Sequence, residues 1–163
     1  MTSDLGIDRL LQVKVPVTDV RTAAQWYARL LDMRLVMEFA EEDELRGVVL
    51  EEPQTRVRIA LRDRAHASSR PVLSGFDLLN FEMVSLEALE AFAQRCDQLG
   101  INTTGVHHFE GGAGMDVPDP DGTVIRFHFA PGRPSFVGFR SDSEGRHVSY
   151  GEPSLTDVAV MGD

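Results

Sequence analysis

The sequence predicts an α+β fold in which two βαβββ modules form an open, curved mixed sheet, followed by a C-terminal extension. Two observations predict it: the order strand, helix, strand, strand, strand occurs twice, and the two copies lie a nearly fixed interval apart. Module 1 covers about residues 8–64 and module 2 about 74–130, within one domain at 1–132. The remainder, 133–163, is rich in Gly, Ser and Pro and forms the expected extension.

In module 1, alternating apolar residues predict a first strand at Leu10–Val17. Asp19 follows as the N-cap of a helix over 20–31, where apolar residues recur at helical spacing and place Tyr27 in the core. Acidic turns then separate the remaining strands of the module. These three strands are expected at 34–39, 45–50 and 56–61.

Module 2 repeats this order. A strand at Phe76–Met83 leads to Ser85, which caps a helix over 86–99, and Gly100 ends the helix. The last strand is opened by the turn sequence Asp119-Pro120-Asp121-Gly122. The three strands after the helix are expected at 101–107, 114–117 and 123–129.

The repeat interval is visible at corresponding residues of the two modules. The interval from the cap residue Asp19 to the cap residue Ser85 equals the interval from Gln12 to Leu78. Arg126 follows Arg58 at almost the same interval. Internal duplication is the simplest explanation. Coincidence between two unrelated strand–helix pairs is the alternative.

Composition excludes several classes of partner. The 163 residues include 26 acidic and 16 basic ones, a formal net charge of −10, which disfavours binding to a nucleic-acid backbone. The single cysteine, Cys96, permits no intramolecular disulfide. Apolar runs are too short to span a membrane, and residues 1–4 lack a basic signal segment. We therefore expect a cytoplasmic protein that contacts neither nucleic acid nor membrane.

Two stretches resemble the vicinal oxygen chelate superfamily, which includes glyoxalase I, bleomycin-resistance proteins, fosfomycin-resistance enzymes and extradiol dioxygenases. The first is Gln12–Val20 followed by Trp26-Tyr27 and Leu30–Met33, and the second is Asp119–Ile125. The likeness covers about residues 8–130. It implies the glyoxalase/bleomycin-resistance fold, a small-molecule ligand or substrate, and a homodimer.

In the metal-using members that this chain resembles, each module supplies ligands from its first and last strands. The matching positions are Gln12, Arg58, Leu78 and Arg126. A leucine has no donor atom and a guanidinium has no free lone pair, so we expect neither a metal nor another cofactor here. A shift of two residues improves nothing, since it brings in Lys14, Ala60, Asn80 and His128.

Strand alternation places several polar side chains on the sheet face that carries the family's site. The candidate ligand-binding residues are Gln12, Lys14, Arg58, Asn80 and Arg126. The candidate catalytic residues are His128 and Glu82, as acid and base. A guanidinium can bind a carboxylate or enolate oxygen through two hydrogen bonds. Alternatively, the arginines neutralise Glu82 and other acids on a half-exposed sheet, and the histidine is structural.

Two further motifs carry weaker signals. In His107-His108, neighbouring residues of a strand point to opposite faces, so at most one reaches the site. The glycine-rich segment Phe109–Gly114 has neither the lysine nor the following helix of a phosphate loop. We expect it to form a flexible rim.

Three hypotheses of function follow. The first is a drug-binding protein that sequesters a small oxygenated, anionic or enolisable molecule, as antibiotic-resistance proteins of the bleomycin type do. The second is a metal-free isomerase, lyase or cyclase of secondary metabolism, and the third is a metal-dependent glyoxalase or dioxygenase with ligands elsewhere. We favour the first because the sequence alone reveals no complete acid–base pair.

Overall fold

The chain divides into two compact units, Met1–Phe129 and Ala130–Asp163. In the computed structural model, the described residues are 5–109, 111–132, 138–144, 146–152 and 154–155. The segment 1–4, which bears on the expectation about a signal sequence, and part of the expected extension lie outside them.

Module 1 forms a mixed four-stranded sheet with one helix. Its elements are β1 (Val13–Val17), α1 (Val20–Leu31), β2 (Arg34–Glu41), β3 (Glu44–Glu51) and β4 (Arg58–Asp63). The strand order is β1-β4-β3-β2, with β1 and β4 parallel and the other neighbours antiparallel. A short 3₁₀ turn at Arg64–His66 follows.

Module 2 repeats this arrangement. Its elements are β5 (Asp77–Glu82), α2 (Leu86–Leu99), β6 (His107–Phe109), β7 (Gly112–Pro118) and β8 (Val124–Phe129). The strand order β5-β8-β7-β6, with β5 and β8 parallel, copies module 1. The predicted α+β fold of two βαβββ modules with open sheets is therefore confirmed. In the second unit, β9 (Gly138–Ser141) and β10 (His147–Tyr150) form an antiparallel hairpin that the sequence analysis did not predict.

Local hydrogen bonds explain where the strand limits differ from those predicted. The strand expected at 101–107 is absent, and β6 begins at His107. The amide of Gly105 instead donates to the hydroxyl of Thr103 at 3.1 Å, and Gly105 has a φ of +74°. Such side-chain to backbone bonds compete with strand pairing. Similarly, β4 begins later than predicted because Arg56 has a left-handed φ of +62°.

Both predicted helix starts are confirmed. The Asp19 carboxylate accepts the amide of Thr22 at 2.8 Å, and the Ser85 hydroxyl accepts the amide of Ala88 at 3.1 Å. Gly100 ends α2 with a left-handed φ of +67°. These caps satisfy amides that have no partner within the helix, which fixes both helix boundaries.

The register of the parallel strands gives the same interval in both modules. Val13 lies opposite Ile59, and Leu79 lies opposite Ile125. Val13 and Leu79 are therefore separated by the same interval as Ile59 and Ile125, and the helix caps repeat at that interval too. This agreement across strands and helices is what an internal duplication produces.

The same register corrects the predicted correspondence between Arg58 and Arg126. Arg126 follows Ile125 and occupies the position of Ala60, whereas Arg58 occupies the position of Val124. The two arginines thus lie on the same side of their sheets but two positions out of step. Their spacing therefore exceeds the repeat interval by two residues, which keeps the same face but not the same position.

A buried hydrogen bond joins the two modules within one hydrophobic core. Tyr27 of α1 is fully buried, as predicted, and its hydroxyl donates to the Asp119 carboxylate at 2.9 Å. That carboxylate also accepts the amides of Asp121 and Thr123, both at 2.9 Å. The amide of Thr18 donates to Asp121 at 2.9 Å. The turn before β8 is therefore attached to the start of α1.

Burial shifts the pKa values of both Asp119 and Tyr27. It raises the pKa of the Asp119 carboxyl above its ordinary value, against the opposing effect of the hydrogen bond from Tyr27. It also raises the pKa of the Tyr27 hydroxyl, and the neighbouring Asp119 charge acts in the same direction. The hydroxyl therefore remains protonated and available as a donor at neutral pH.

We expect Tyr27→Phe to lower the free energy of unfolding by about 1–2 kcal/mol, because it deletes one buried hydrogen bond to a carboxylate. Urea denaturation followed by circular dichroism measures the change. Tyr150→Phe, which removes the other tyrosine hydroxyl of the chain, is the control and should shift the midpoint little. Equal losses in the two variants would contradict a specific role for the Tyr27 bond.

Candidate functional site on the open sheet faces

Each sheet has one face packed against its helix, and we call the opposite face the open face. In β4, Ile59 and Leu61 are buried in the core that includes α1. Arg58, Ala60 and Arg62 alternate with them and therefore belong to the open face of module 1.

The open face of module 2 is defined in the same way. Phe127 of β8 is buried and stacks on Phe92 of α2, with ring centroids 4.3 Å apart. Arg126 and His128, on either side of Phe127, therefore lie on the open face and are half-buried. The structure thus places both side chains on the face where alternation predicted them.

Four of the candidate residues form two neighbouring pairs. Across the parallel strands β5 and β8, Asn80 lies opposite Arg126 and Glu82 lies opposite His128. Adjacent strands are about 4.8 Å apart, so opposite side chains on one face are within reach of each other. The candidate acid and base are therefore neighbours, which the sequence alone could not show.

The candidates in β1 are positioned differently. Lys14 lies opposite Ala60 on the open face of module 1 and is exposed. Gln12 precedes β1 and is half-buried. Within the described part of the chain, Lys14 has no ion-pair partner, so its charge is available to a ligand.

Arg126 is held by two carboxylates. Its Nε and Nη2 donate to the two oxygens of Asp116 at 2.8 and 2.9 Å, and its Nη1 donates to Asp77 at 2.8 Å. The hydrogen bond from Arg126 lowers the pKa of Asp116, and the same bond raises the pKa of the guanidinium. Charge-assisted, two-pronged pairs of this kind fix the guanidinium plane.

Arg58 is also neutralised within its own module. Its Nε donates to Glu51 at 2.5 Å, and Arg56 binds the other oxygen of Glu51 at 2.7 Å. Glu51 is only 7% exposed. Pairing with acids was the alternative role that the sequence left open for the arginines, although their partners here are Glu51, Asp77 and Asp116.

The sequence analysis missed these three acids because their relevance depends on strand register. Glu51 lies opposite Arg58 across β3 and β4, and Asp116 lies opposite Arg126 across β7 and β8. Opposite charges at directly paired positions are a recognisable stabilising pattern in antiparallel sheets. A correct alignment of β3 with β4 would have revealed the first pair.

An aromatic pair completes the open face of module 2. The rings of Phe109 and His128 are parallel within 5°, with centroids 5.4 Å apart. His107 lies opposite Gly114 on this face, whereas His108 lies opposite the buried Ala113. The prediction that only one histidine of the 107–108 pair shares the face is confirmed.

The residues that the family resemblance matches to metal ligands do not fit a divalent cation. Arg58 and Arg126 have no lone pair to donate and are already bound to carboxylates. Leu78 packs against the core, and Gln12 could supply only an amide oxygen. Among the described residues, there is also no group of three or more His, Cys, Asp or Glu side chains arranged to hold a metal.

A shallow depression lies away from these residues, near the start of α1. Its lining residues are Thr18, Asp19, Val20, Arg21, Asp43, Glu44, Leu45 and Asp63. It contains none of the candidate residues. We place the candidate site on the open faces because the hydrogen-bonding and aromatic groups converge there.

Comparison with known proteins identifies the class that this fold and site define. The sequence profile of the Glyoxalase/Bleomycin resistance protein/Dioxygenase superfamily matches residues 9–127, and the chain belongs to this family. The predicted family resemblance is therefore confirmed. No curated protein sequence matches the chain.

Several solved structures share the fold. The glyoxylase/bleomycin resistance protein/dioxygenase domain from Frankia sp. EAN1pec has a TM-score of 0.62 at 19% identity over 77% of this chain and 93% of that one. TnmS3, an antibiotic binding protein from Streptomyces sp. CB03234, has a TM-score of 0.61 at 20% identity, and the match covers 77% of this chain and 98% of the TnmS3 chain. The fosfomycin resistance protein FosX from Listeria monocytogenes has a TM-score of 0.59 at 12% identity, and the match covers 77% of this chain and 95% of the FosX chain.

The helices give no sign of a membrane span. Across the described residues, neither the length nor the apolar content of any helix suffices to cross a bilayer.

We expect Asp116→Asn to lower the free energy of unfolding by about 1 kcal/mol at pH 7, since it removes the charge of a half-exposed ion pair. Because the folded-state pKa of Asp116 is lowered, the pair contributes fully above the ordinary aspartate pKa of 3.8 and is lost as the pH falls through the folded-state value. The gap between wild type and variant should therefore close in acid.

Urea titrations from pH 7 to pH 3 measure that gap. Glu90→Gln, at an exposed position of α2, is the control and should show no comparable convergence. A stability difference that stays constant down to pH 3 would refute the assigned pairing.

Proposed function

We propose that the protein binds a small oxygenated molecule on its open faces without a divalent metal, and sequesters it rather than converting it. The observation that supports this proposal most directly is the pairing of Arg126 with two carboxylates. At a position that the family resemblance matches to a metal ligand, Asp116 and Asp77 hold its guanidinium. A guanidinium has no lone pair to donate to a metal, and this one still has N–H groups for ligand oxygens.

The ion pairs bear on the charge of the ligand. Because Glu51 neutralises Arg58, and Asp116 and Asp77 neutralise Arg126, neither guanidinium is free to take a carboxylate in a two-pronged grip. Lys14 remains as a cation, and Asn80 beside Arg126 offers amide groups. Carbonyl, phenol or enolate oxygens of a neutral or singly charged molecule suit this set of donors.

The names of two neighbouring structures support a ligand of the antibiotic class. They describe an antibiotic binding protein and a fosfomycin resistance protein. By analogy, we propose a ligand of the antibiotic or secondary-metabolite class and a role in resistance. The fold alone does not distinguish binding from catalysis, so the site must supply the argument.

A metal-free isomerase, lyase or cyclase is the second candidate. It is favoured by the register that puts Glu82 beside His128. A carboxylate and an imidazole on one face could move a proton while Arg126 stabilises a developing enolate. Sequestration remains our choice because His128 is stacked on Phe109, a packing role that requires no chemistry.

We expect members of a library of hydroxylated quinones, phenols and small carboxylates to raise the melting temperature of the protein equally with and without EDTA. A ligand that binds only the folded state stabilises it in proportion to its saturation. Differential scanning fluorimetry measures the shift, and mass spectrometry of the incubated ligand should return it unchanged. Turnover that Glu82→Gln abolishes would instead establish the enzyme.

The Arg126→Ala variant tests metal independence by a separate route. Removing the guanidinium leaves Asp77 and Asp116 without their cation, so this variant should gain Mn²⁺ affinity in a calorimetric titration. Arg58→Ala is the matched control, because Arg56 still neutralises Glu51 there, and it should gain none. Stoichiometric metal in the wild type, with ligand binding lost in EDTA, would overturn the proposal.

We also propose that the chain forms a homodimer through β2. All eight residues of this edge strand are exposed, and Leu35, Val36 and Met37 are 48–55% exposed. Long exposed apolar edges favour association with another chain. A second copy is the partner that the family resemblance implies.

Light scattering after gel filtration should therefore give about twice the chain mass of 18.1 kDa. Met37→Lys places a charge in the apolar edge and should shift the protein towards the monomer. Val84→Lys changes a residue that is 92% exposed in a loop and should leave the mass unchanged. A monomeric wild type at micromolar concentration would disprove the dimer.

A further inference from the structure

Phe109 and His128 form an aromatic pair on the open face of module 2. Phe109 is 44% exposed, and its ring is parallel to the His128 ring within 5°. A centroid separation of 5.4 Å is typical of offset, parallel aromatic rings. The two rings are stacked on each other, and part of Phe109 remains exposed on this face.

Two glycines of β7 allow this geometry. A Cβ atom at Gly112 would lie 3.1 Å from the Phe109 ring, and one at Gly114 would lie 3.6 Å from it. The same atom at Gly114 would lie 4.0 Å from the His128 ring. A Cβ atom at Gly112 would also collide with the backbone carbonyl oxygen of Phe129, so glycine is required there independently of the ring. The contacts at Gly114 are ordinary van der Waals distances.

Module 1 also contains a stacked pair on its open face. Phe39 of β2 lies opposite Gly47 of β3, which lies opposite Arg62 of β4. The Arg62 guanidinium carbon is 4.3 Å from the centroid of the Phe39 ring. Arg62 corresponds to His128, because the two are separated by the interval that the strand register gives. The corresponding row of module 2 is His107, Gly114 and His128, whereas Phe109 lies opposite Gly112, so the two phenylalanines occupy different positions in their sheets.

Each module thus carries one phenylalanine with a planar side chain packed on it, although at different positions in the sheet. The partner of the phenylalanine also differs between the modules. In module 1 the Phe39 ring carries a guanidinium that also approaches Glu41 at 3.6 Å. In module 2 the phenylalanine pairs with an imidazole, and the exposed side of its ring has no charged side chain stacked on it among the described residues.

We propose that Phe109 and His128 form a stacking platform for a planar aromatic ring of the ligand. The inference rests on the proposed small-molecule binding and narrows it to flat, unsaturated molecules with oxygen substituents. Ring stacking supplies affinity beyond simple area burial, and the energy depends on planarity. Lys14, Asn80 and the remaining N–H groups of Arg126 would then meet the oxygen substituents.

A matched pair of neutral probes separates stacking from general apolar binding. 2-Naphthamide is flat, whereas decahydronaphthalene-2-carboxamide has the same amide and a puckered ring system of similar size. We expect calorimetric titration of the full chain to show about 5-fold tighter binding of the flat probe, or more. Equal affinities for the two probes would overturn the platform.

Variants at Phe109 test whether this residue causes the tighter binding of the flat probe. Phe109→Leu keeps an apolar side chain but removes the ring, and it should weaken 2-naphthamide binding about 3- to 10-fold. Phe109→Trp keeps a flat ring and should retain the affinity. Phe76→Leu is the control, because Phe76 is 55% exposed and precedes β5, and it should not change the affinity. A loss of similar size in Phe76→Leu, or none in Phe109→Leu, would refute the assignment.

The result also distinguishes this inference from the proposed function. If library compounds bind the wild type but the flat probe has no advantage, the platform fails and small-molecule binding stands. If neither the library nor the probes bind, both proposals fail together. Circular dichroism confirms that each variant is folded.

Discussion

The structure depends on the buried hydrogen bond that Tyr27 donates to Asp119. The carboxylate is taken out of water at the cost of desolvation, which is offset by the hydroxyl and by two amides of its own turn. One residue therefore closes the turn before β8 and attaches it to α1. Since Arg126 and His128 follow this turn in β8, their position relative to module 1 is set by the same contact. Asp119 belongs to one of the two stretches that resemble the family, and it therefore also attaches one module to the other.

On the open faces, the ion-pair partners of the arginines matter more than the net charge of the chain. The chain carries a formal net charge of −10, but local partners decide what each arginine can do. Arg126 is neutralised by Asp116 and Asp77, and Arg58 by Glu51. Guanidiniums paired in this way have fewer N–H groups left for a ligand, which fits the proposed recognition of ligands by hydrogen bonding and ring stacking rather than by charge.

The two modules show how a duplicated scaffold can diverge. Their strand registers and helix caps repeat at one constant interval, and each open face carries a phenylalanine packed on a planar side chain, although at different positions. The partner stacked on it differs, being Arg62 in one module and His128 in the other. Duplication preserves the backbone, which is constrained by core packing, whereas the open face is free of the helix and can change its chemistry.

The sequence by itself determined the elements whose signals are local. Asp19, Ser85 and Gly100 mark the helix ends because caps act over three or four residues, and alternation put Arg126 and His128 on one face for the same reason. Only the tertiary structure decided the partner of Arg126, since register depends on turns and irregular pairings that shift strands by whole residues. Partner choice across strands is a long-range property, and a displacement of two positions suffices to change it.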